Sequence, residues 1–275
     1  MDNLLDYAFF RYALAGLTII SVASAIIGTY VVSRRLVSIS GGVTHACFGG
    51  LGLGYFLGVN PIFMAAVAAV ASSLGVELMA ARGRAREDSA IAVVWAIGMA
   101  LGILFVFLTP GYVPELNSFL FGNVLTIGTD DLLAFGIFTV VLGVFFTLFY
   151  QKIVACAFDP DFARVIHLPV RLINCIMTVM TAVCIVLTIR LVGVMLLMSM
   201  LALPQMIAEM FSRRFSGIMW RSIVISLICC VGGLLAATIV DVPCSALIVL
   251  LMAGIYIVCA VTVPMVRRLK NRSAD

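Results

Sequence analysis

Long apolar runs separated by short polar turns dominate the chain. A run of about 20 residues is long enough to cross a hydrocarbon core about 30 Å thick as an α-helix. The pattern predicts an all-α, polytopic integral membrane protein with eight or nine transmembrane helices, organised as a single domain over residues 1–275. The predicted spans are residues 9–32, 37–58, 61–81, 89–109, 131–150, 171–189, 191–211, 217–239 and 244–266.

The number of spans depends on residues 172–211, where only Arg190 interrupts the apolar run. Pro204 lies inside the second half of this run. Because proline lacks a backbone N–H and clashes with the preceding turn, we expect it to break or kink the helix there. The second half is therefore predicted to be either a full span or a partial crossing at the membrane edge.

Composition agrees with a membrane protein and excludes several other classes. The chain is 64% hydrophobic and 11% charged, whereas soluble domains average about 25% charged residues. Its eight cysteines form no C-x-x-C pair, so neither a disulfide framework nor a zinc knuckle is expected. The net charge of +4 does not predict nucleic-acid binding, because the basic residues lie at the predicted helix ends. The N-terminal region shows no signal-peptide pattern.

The distribution of Lys and Arg predicts the orientation. When the N-terminus is placed outside, 15 of the 17 basic residues fall on the inner side, and only Arg11 and Arg190 do not. Short cytoplasmic loops carry an excess of Lys and Arg. We therefore predict an outer N-terminus and a cytoplasmic C-terminus. Acidic residues on the outer side could attract cations. Alternatively, they have no such role and stand out only because Lys and Arg are concentrated on the inner side.

A histidine lies within the apolar, glycine-rich residues 33–58. His45 follows two arginines by about ten residues, which places it about 15 Å along a helix and near the middle of the membrane. A titratable side chain at this depth is a functional candidate, although it can also serve only to hydrogen-bond a neighbouring helix. Gly49 and Gly52 follow at i+4 and i+7, so small residues share its face.

Two inner connections have the character of short helices that a soluble partner could contact. In residues 152–171, Asp159 and Pro160 followed by Asp161 form a typical helix start. Residues 203–217 begin at a proline and carry acidic and basic side chains. Each segment is either a docking surface or a capped connector.

Several activities find no support in the sequence. No G-x-x-x-x-G-K-[ST] phosphate loop is present, so the chain is not predicted to hydrolyse ATP, and transport driven by ATP would need a separate subunit. Neither G-x-S-x-G nor H-E-x-x-H occurs. We find no repeat of the His45 segment, which disfavours a carrier built from inverted repeats.

Six blocks, in order, resemble the permease subunits of ATP-binding-cassette importers for divalent metals of the zinc, manganese or iron type. The likeness extends roughly over residues 10–266. The blocks are residues 34–54 around G-G-V-T-H-A, 87–93 (EDSAIAV), 120–125 (LFGNVL), 158–171 (FDPDFARVIHLPVR), 191–204 (LVGVMLLMSMLALP) and 241–250 (DVPCSALIVL).

The resemblance implies a homodimeric permease in a bacterial inner (plasma) membrane, surrounded by lipid, with a pore at the dimer interface and alternating access. Two copies of a cytoplasmic ATPase and an extracytoplasmic metal-binding protein would be its partners. The divalent metal ion would be cargo, with no permanently bound cofactor. The residues expected to dock the ATPase are Asp159, Asp161, Arg164, Pro204, Gln205, Glu209 and Arg213.

The metal-related pair of this family is usually an aspartate four residues before a histidine. His45 matches the histidine, but Gly41 stands at the aspartate position. The same helix would line the pore with Gly41, Gly49 and Gly52. Neutral imidazole suits zinc, copper, iron and nickel, whereas loss of a carboxylate disfavours a harder ion such as manganese.

Three acidic residues are weaker candidates for contact with the ion, and each has a plain structural alternative. Glu77 could pair with the basic cluster that begins at Arg82. Glu209 could pair with Arg213 at i, i+4. Asp241 could cap the final helix.

Two further alternatives stay open at this stage. Met195, Met198 and Met200 could suit a soft metal, although methionines at this density usually serve packing. The chain could also be a stand-alone proton-coupled carrier of metal or another small solute, in which His45 acts as the proton-linked group.

Overall fold

The computed structural model describes residues 6–81, 87–110, 122, 124 and 127–272, without the side chains of residues 80, 81, 87 and 266–272. Within these residues the fold is all-α, as predicted, and it comprises nine helices. They are α1 Ala8–Ser33, α2 Val37–Leu57, α3 Pro61–Ala81, α4 Glu87–Leu108, α5 Thr129–Phe158, α6 Pro160–Val165, α7 Val170–Phe211, α8 Phe215–Val240 and α9 Cys244–Arg272.

Seven of the described helices are long and apolar enough to cross a membrane: α1, α3, α4, α5, α7, α8 and α9. This confirms a polytopic membrane protein. α2 is as long as α3 but falls outside this set, because it contains serine, histidine and several glycines among its apolar residues. All eight cysteines are free, in agreement with the absence of a disulfide framework.

The described charged residues identify two ends of the helix bundle. Arg34, Arg35 and Arg213 line one cavity together with the end of α5, and we call this the Arg34 end. At the other end of α5, Asp131 Oδ1 lies 2.9 Å from Arg190 Nη2, and we call this the Arg190 end. Arg190 was an exception to the predicted sorting of basic residues, and the structure pairs it with a carboxylate.

Other basic side chains counted in the orientation lie outside the described part. They are Arg82, Arg84 and Arg86 between α3 and α4, and Arg267, Arg268, Lys270 and Arg272 near the C-terminus.

α7 consists of two helical halves that run in opposite directions. Gly193 has φ +79° and ψ 172°, which is non-helical. Before it, the helix runs from Asn174, which contacts Tyr30 at the Arg34 end, to Arg190 at the other end. After it, the chain returns, because Glu209 lines the cavity at the Arg34 end. The two predicted spans 171–189 and 191–211 therefore correspond to these two halves.

The break in α7 is at Gly193 and not at Pro204, where we expected it. Pro204 lies inside the returning half, which continues to Phe211. Pro204 cannot donate to the carbonyl of Met200, four residues earlier. The Nε2 atom of Gln205 donates to that carbonyl instead, at 3.1 Å. The side chain of the next residue thus replaces the missing backbone donor and allows the helix to continue.

α2 lies between α3 and α4, and glycines bring its backbone close to α4. A Cβ atom at Gly49 would lie 2.9 Å from the carbonyl oxygen of Gly98, and one at Gly52 would lie 2.7 Å from that of Gly102. Any larger residue at these positions would push the helices apart. Small residues therefore allow the close helix contact that stabilises helix pairs in membranes.

Candidate functional site

The imidazole of His45 is half-buried on α2 and stacks against the indole of Trp95 on α4. The two ring centroids are 4.5 Å apart and the planes are inclined by 20°. The close approach of α2 and α4 makes this contact possible, since a Cβ at Gly98, one turn after Trp95, would lie 2.6 Å from the carbonyl oxygen of His45. The stack fixes one face of the imidazole and leaves its nitrogens at the ring edge.

Gly41 lies one helical turn before His45 and is buried. A Cβ atom at Gly41 would lie 2.9 Å from Cζ3 of Trp95 and 3.1 Å from Cε of Met198. The same indole that stacks on His45 thus also covers Gly41, and a methionine from α7 closes the space from another side. The space that a longer side chain at position 41 would need is therefore occupied.

The other two glycines predicted on the pore-lining helix face α4 within this chain. Gly49 and Gly52 are both buried against the α4 backbone, as described above. Their observed role is to permit helix packing. That α2 lines a pore between two copies remains a prediction.

The three acidic candidates lie away from His45, at the ends of the bundle. Glu77 lies near the buried Tyr30, which it and Arg34 influence electrostatically. Glu209 lines the cavity at the Arg34 end. Asp241 is exposed and ends α8 in a left-handed conformation, with φ +58°. In the described part of the chain, no group of three or more His, Cys, Asp and Glu residues is arranged to hold a metal ion.

Two of the structural alternatives for these acidic residues are not what the structure shows. Glu209 makes no ion pair with Arg213, because α7 ends at Phe211 and the two residues no longer share a helical face. Asp241 is the C-terminal cap of α8, and α9 begins three residues later at Cys244. The partner predicted for Glu77, Arg82, lies outside the described residues.

A hydrogen-bonded chain that the sequence did not reveal joins α1 to α7 at the Arg34 end. Arg34 Nη1 donates to the hydroxyl oxygen of Tyr30 at 3.1 Å. That hydroxyl in turn donates to Oδ1 of Asn174, at 3.4 Å. Tyr30 and Asn174 are both buried, so this chain of polar groups ties the start of α7 to the end of α1.

The predicted short helix between α5 and α7 is present as α6. The carboxylate of Asp159 accepts a hydrogen bond from the backbone N–H of Phe162 at 2.9 Å, and Pro160 occupies the first turn. Arg164 Nη1 and Asp161 Oδ1 are 2.8 Å apart, with side chains that are 68% and 89% exposed. α6 therefore presents charged side chains outward at the chain's surface.

The second predicted docking segment contains both buried and exposed residues. Glu209 and Arg213 are exposed, but Pro204 is buried and the side chain of Gln205 has no accessible surface. Besides Met200, Gln205 Nε2 donates to the carbonyl of Ser24 on α1, at 3.2 Å. Pro204 and Gln205 thus belong to the interior, and their side chains cannot contact a partner in this conformation.

Trp95 was not recognised as part of the site from the sequence, and Met198 was considered only as one of three methionines that could suit a soft metal. A usable signal existed on α4, where Gly98 and Gly102 are four residues apart and mark a close helix contact. Trp95 lies one turn before this pair. No local signal connects Gly41 on α2 with residue 198, because that contact depends on the reversal of α7 at Gly193.

Comparison with known proteins relates the whole chain to membrane components of transport systems. A "probable metal transport system membrane protein" from Chlamydia pneumoniae is 37% identical over 238 residues, which cover 84% of this chain and 81% of the relative. A manganese transport system membrane protein from Halalkalibacterium halodurans is 26% identical over 258 residues, covering 93% and 87% of the two chains.

The fold also has a counterpart among solved structures. A chain of PsaBC from Streptococcus pneumoniae, determined in complex with Fab, superposes with a TM-score of 0.85 at 21% identity, over 98% of both chains. The sequence profile of the ABC 3 transport family matches residues 6–263. The chain therefore belongs to the ABC 3 transport family and is a multi-pass protein of the bacterial plasma membrane.

Proposed function

We propose that the chain is the permease subunit of an ATP-driven importer of divalent transition-metal ions, working as a homodimer with alternating access. The observation that carries this proposal is His45, a half-buried imidazole in a glycine-rich helix enclosed by α3 and α4. Family membership and the metal transport named for the Chlamydia and Halalkalibacterium relatives support the substrate class. Two copies would bring two His45 side chains to one pathway.

The proposed orientation places the Arg34 end in the cytoplasm. The positive-inside rule supports it, because Arg34, Arg35 and Arg213 lie together there. The Arg190 end would then face an extracytoplasmic metal-binding protein. ATP hydrolysis would belong to two copies of a cytoplasmic ATPase. Asp159, which caps the start of α6, would begin the segment that contacts it.

The docking surface we propose consists of the exposed residues of α6 and the segment after α7. Asp161 and Arg164 form an exposed ion pair, and such pairs contribute only about 0–1 kcal/mol to stability. Substitutions there test docking without unfolding the protein. Glu209 and Arg213 border the same end of the bundle and extend the surface.

Co-purification tests the docking surface. The permease would be purified in mild detergent from the bacterium that produces it, as wild type, Asp161→Arg and Asp130→Arg. Asp130 is exposed in the first turn of α5, at the Arg190 end, and serves as the matched control. We expect an ATPase to accompany the wild type and the control but not Asp161→Arg. Retention of the ATPase by all three proteins would contradict docking on α6.

Uptake tests the ion path. Right-side-out membrane vesicles of the same bacterium, loaded with ATP, would carry wild type, His45→Ala or Phe107→Ala, in which an 87% exposed side chain on α4 is removed. We expect His45→Ala to lose most ATP-dependent uptake of zinc, manganese or iron, and the control to keep it. Uptake that does not depend on ATP but is driven by the proton gradient would instead indicate the stand-alone carrier.

A further inference from the structure

A cavity at the Arg34 end brings together arginines from two separate connections of the chain. It has a volume of about 790 Å³ and lies between the ends of α1, α5 and α7 and the start of α8. Arg34 and Arg35, between α1 and α2, line it together with Arg213, between α7 and α8. Glu209 is the one acidic residue among the described residues of the lining. Three guanidinium groups against one carboxylate leave a net charge of +2, so the cavity suits an anion.

The arginines of this cavity are available to a ligand or already held in position. Arg35 and Arg213 are exposed, and neither forms an ion pair with another described residue. Arg34 is half-buried, and its Nη1 atom donates to the hydroxyl oxygen of Tyr30 at 3.1 Å. A side chain that is already held loses little freedom when it binds a ligand. Because guanidinium groups bind phosphate and carboxylate oxygens in pairs, the lining suits either of these anions.

The position of the cavity along the bundle corresponds to the level of phospholipid headgroups. The four helices whose ends surround it, α1, α5, α7 and α8, all have the length and apolar character of membrane spans. Val32, Phe158 and Ile218 add apolar groups to the lining. Trp220, two residues after Ile218, is 64% exposed, and tryptophan concentrates at the boundary between hydrocarbon and water. Guanidinium and apolar groups at this level match the phosphate and the glycerol and acyl groups of a lipid.

We infer that this cavity binds the phosphate group of an anionic phospholipid, such as phosphatidylglycerol, from the leaflet at the Arg34 end. Basic cavities between transmembrane helices bind phospholipid headgroups in this way. The bound phosphate neutralises Arg35 and Arg213 and so holds the α1–α2 and α7–α8 connections together. The apolar part of the lining favours a lipid over a dissolved anion. This inference goes beyond the proposed function and does not depend on which ion is carried.

Native mass spectrometry of the purified permease in detergent tests the inference, because it counts bound lipids. Equal amounts of phosphatidylglycerol and of zwitterionic phosphatidylcholine would be titrated into wild type, Arg35→Gln, Arg213→Gln and Arg214→Gln. Arg214 is the matched control, because it is exposed and adjacent to Arg213 but does not line the cavity. The readout is the ratio of the two bound lipids, since partial unfolding would change the binding of both.

The expected size of the effect follows from the number of arginines. One arginine near a membrane surface attracts anionic lipid by about fivefold in affinity. The two exposed arginines should therefore give wild type a preference for phosphatidylglycerol of at least about 25-fold, and Arg35→Gln and Arg213→Gln should each lower it about fivefold. Arg214→Gln should keep the wild-type preference. Equal ratios in all four proteins would overturn the inference, and so would a fall in Arg214→Gln as large as that in Arg213→Gln.

Two further measurements distinguish a lipid from other sources of an anion. Inorganic phosphate in large excess should leave phosphatidylglycerol bound to wild type. Its displacement would show that dissolved phosphate satisfies the cavity and would contradict a lipid site. The complex of the permease with the ATPase proposed above should keep the lipid preference and its dependence on Arg35. Loss of the preference in that complex would assign the cavity to the partner protein and would likewise overturn the inference.

Discussion

Substitution of Gln205 by leucine tests whether a side chain replaces the backbone hydrogen bond that Pro204 removes from α7. Gln205 Nε2 donates to the carbonyl oxygen of Met200 at 3.1 Å and to the carbonyl oxygen of Ser24 at 3.2 Å. Ser24 lies inside α1, so its carbonyl keeps a helical donor. The carbonyl of Met200 loses its replacement partner in Gln205→Leu, because Pro204 has no N–H.

The expected magnitude follows from these groups. A buried carbonyl left without a partner costs about 1–3 kcal/mol. Part of this cost is offset, because leucine also removes Oε1 of Gln205, which is buried without a hydrogen-bond partner. Side-chain hydrogen bonds in membrane proteins contribute about 0.6 kcal/mol on average in double-mutant cycles, and at most about 1.7. We therefore expect Gln205→Leu to lower the free energy of unfolding by about 1–2 kcal/mol.

A double-mutant cycle isolates the compensation from general packing effects. In Pro204→Ala, the new backbone N–H at position 204 can bond the carbonyl of Met200. Gln205→Leu should then cost about 1 kcal/mol less in this background than in wild type. The free energy of unfolding would be measured by denaturant titration in detergent micelles. Gln151→Leu, at an exposed glutamine on α5, is the matched control.

Additive effects of Pro204→Ala and Gln205→Leu would refute the reasoning, since they would show that Gln205 does not serve the Met200 carbonyl. A loss of stability in Gln151→Leu as large as that in Gln205→Leu would have the same consequence. It would mean that any glutamine-to-leucine change has this effect.

Three further predictions concern the backbone. Gly193→Ala should lower the free energy of unfolding by about 1–3 kcal/mol, as measured in the same titration, because φ +79° with ψ 172° is a conformation that essentially only glycine adopts; an unchanged value would contradict a rigid reversal. Gly98→Val should cost a similar 1–3 kcal/mol and reduce uptake, because its side chain would collide with the backbone of His45. Asp159→Ala should destabilise α6 by about 0.5–2 kcal/mol, seen as faster amide exchange there while α8 is unchanged.

Much of the fold was predictable, because the relevant signals are local. Residues that are apolar over about 20 positions must form helices in lipid, where every backbone group needs an internal partner. The predicted spans 61–81 and 37–58 accordingly match α3 and α2 closely. Asp159 and Pro160 marked the start of α6, because capping requires only neighbouring residues.

The position of the break in α7 was not predictable from a local rule. The general effect of proline pointed to Pro204, but Gln205 compensates for the missing donor through its own side chain. The break lies at Gly193, where another part of the backbone packs closely against the chain: a Cβ at Gly122 would overlap Val192. Such a contact joins residues 70 positions apart and leaves no local pattern.

Of the candidate site, only His45 was predictable from the sequence. His45 was evident as a titratable residue in an apolar helix, but its environment depends on helices that are distant in sequence. Trp95 reaches it because α2 and α4 pack through glycines, and Met198 reaches Gly41 because α7 turns back at Gly193. The surroundings of His45 therefore follow from the topology.

The low hydrophobicity of α2 is a consequence of where it lies. A helix that faces lipid on several sides must be apolar on those sides, as in α4, where Ile103 and Phe107 are exposed. α2 is instead covered by α3, α4 and α7, so it can contain glycines that bring these helices close and a histidine that lipid would not tolerate. Residues 37–58 have the length of a membrane span, although α2 falls outside the set of strongly apolar helices. In a transport protein, a weakly apolar segment of full membrane length among strongly apolar ones is therefore the place to look for the ion path.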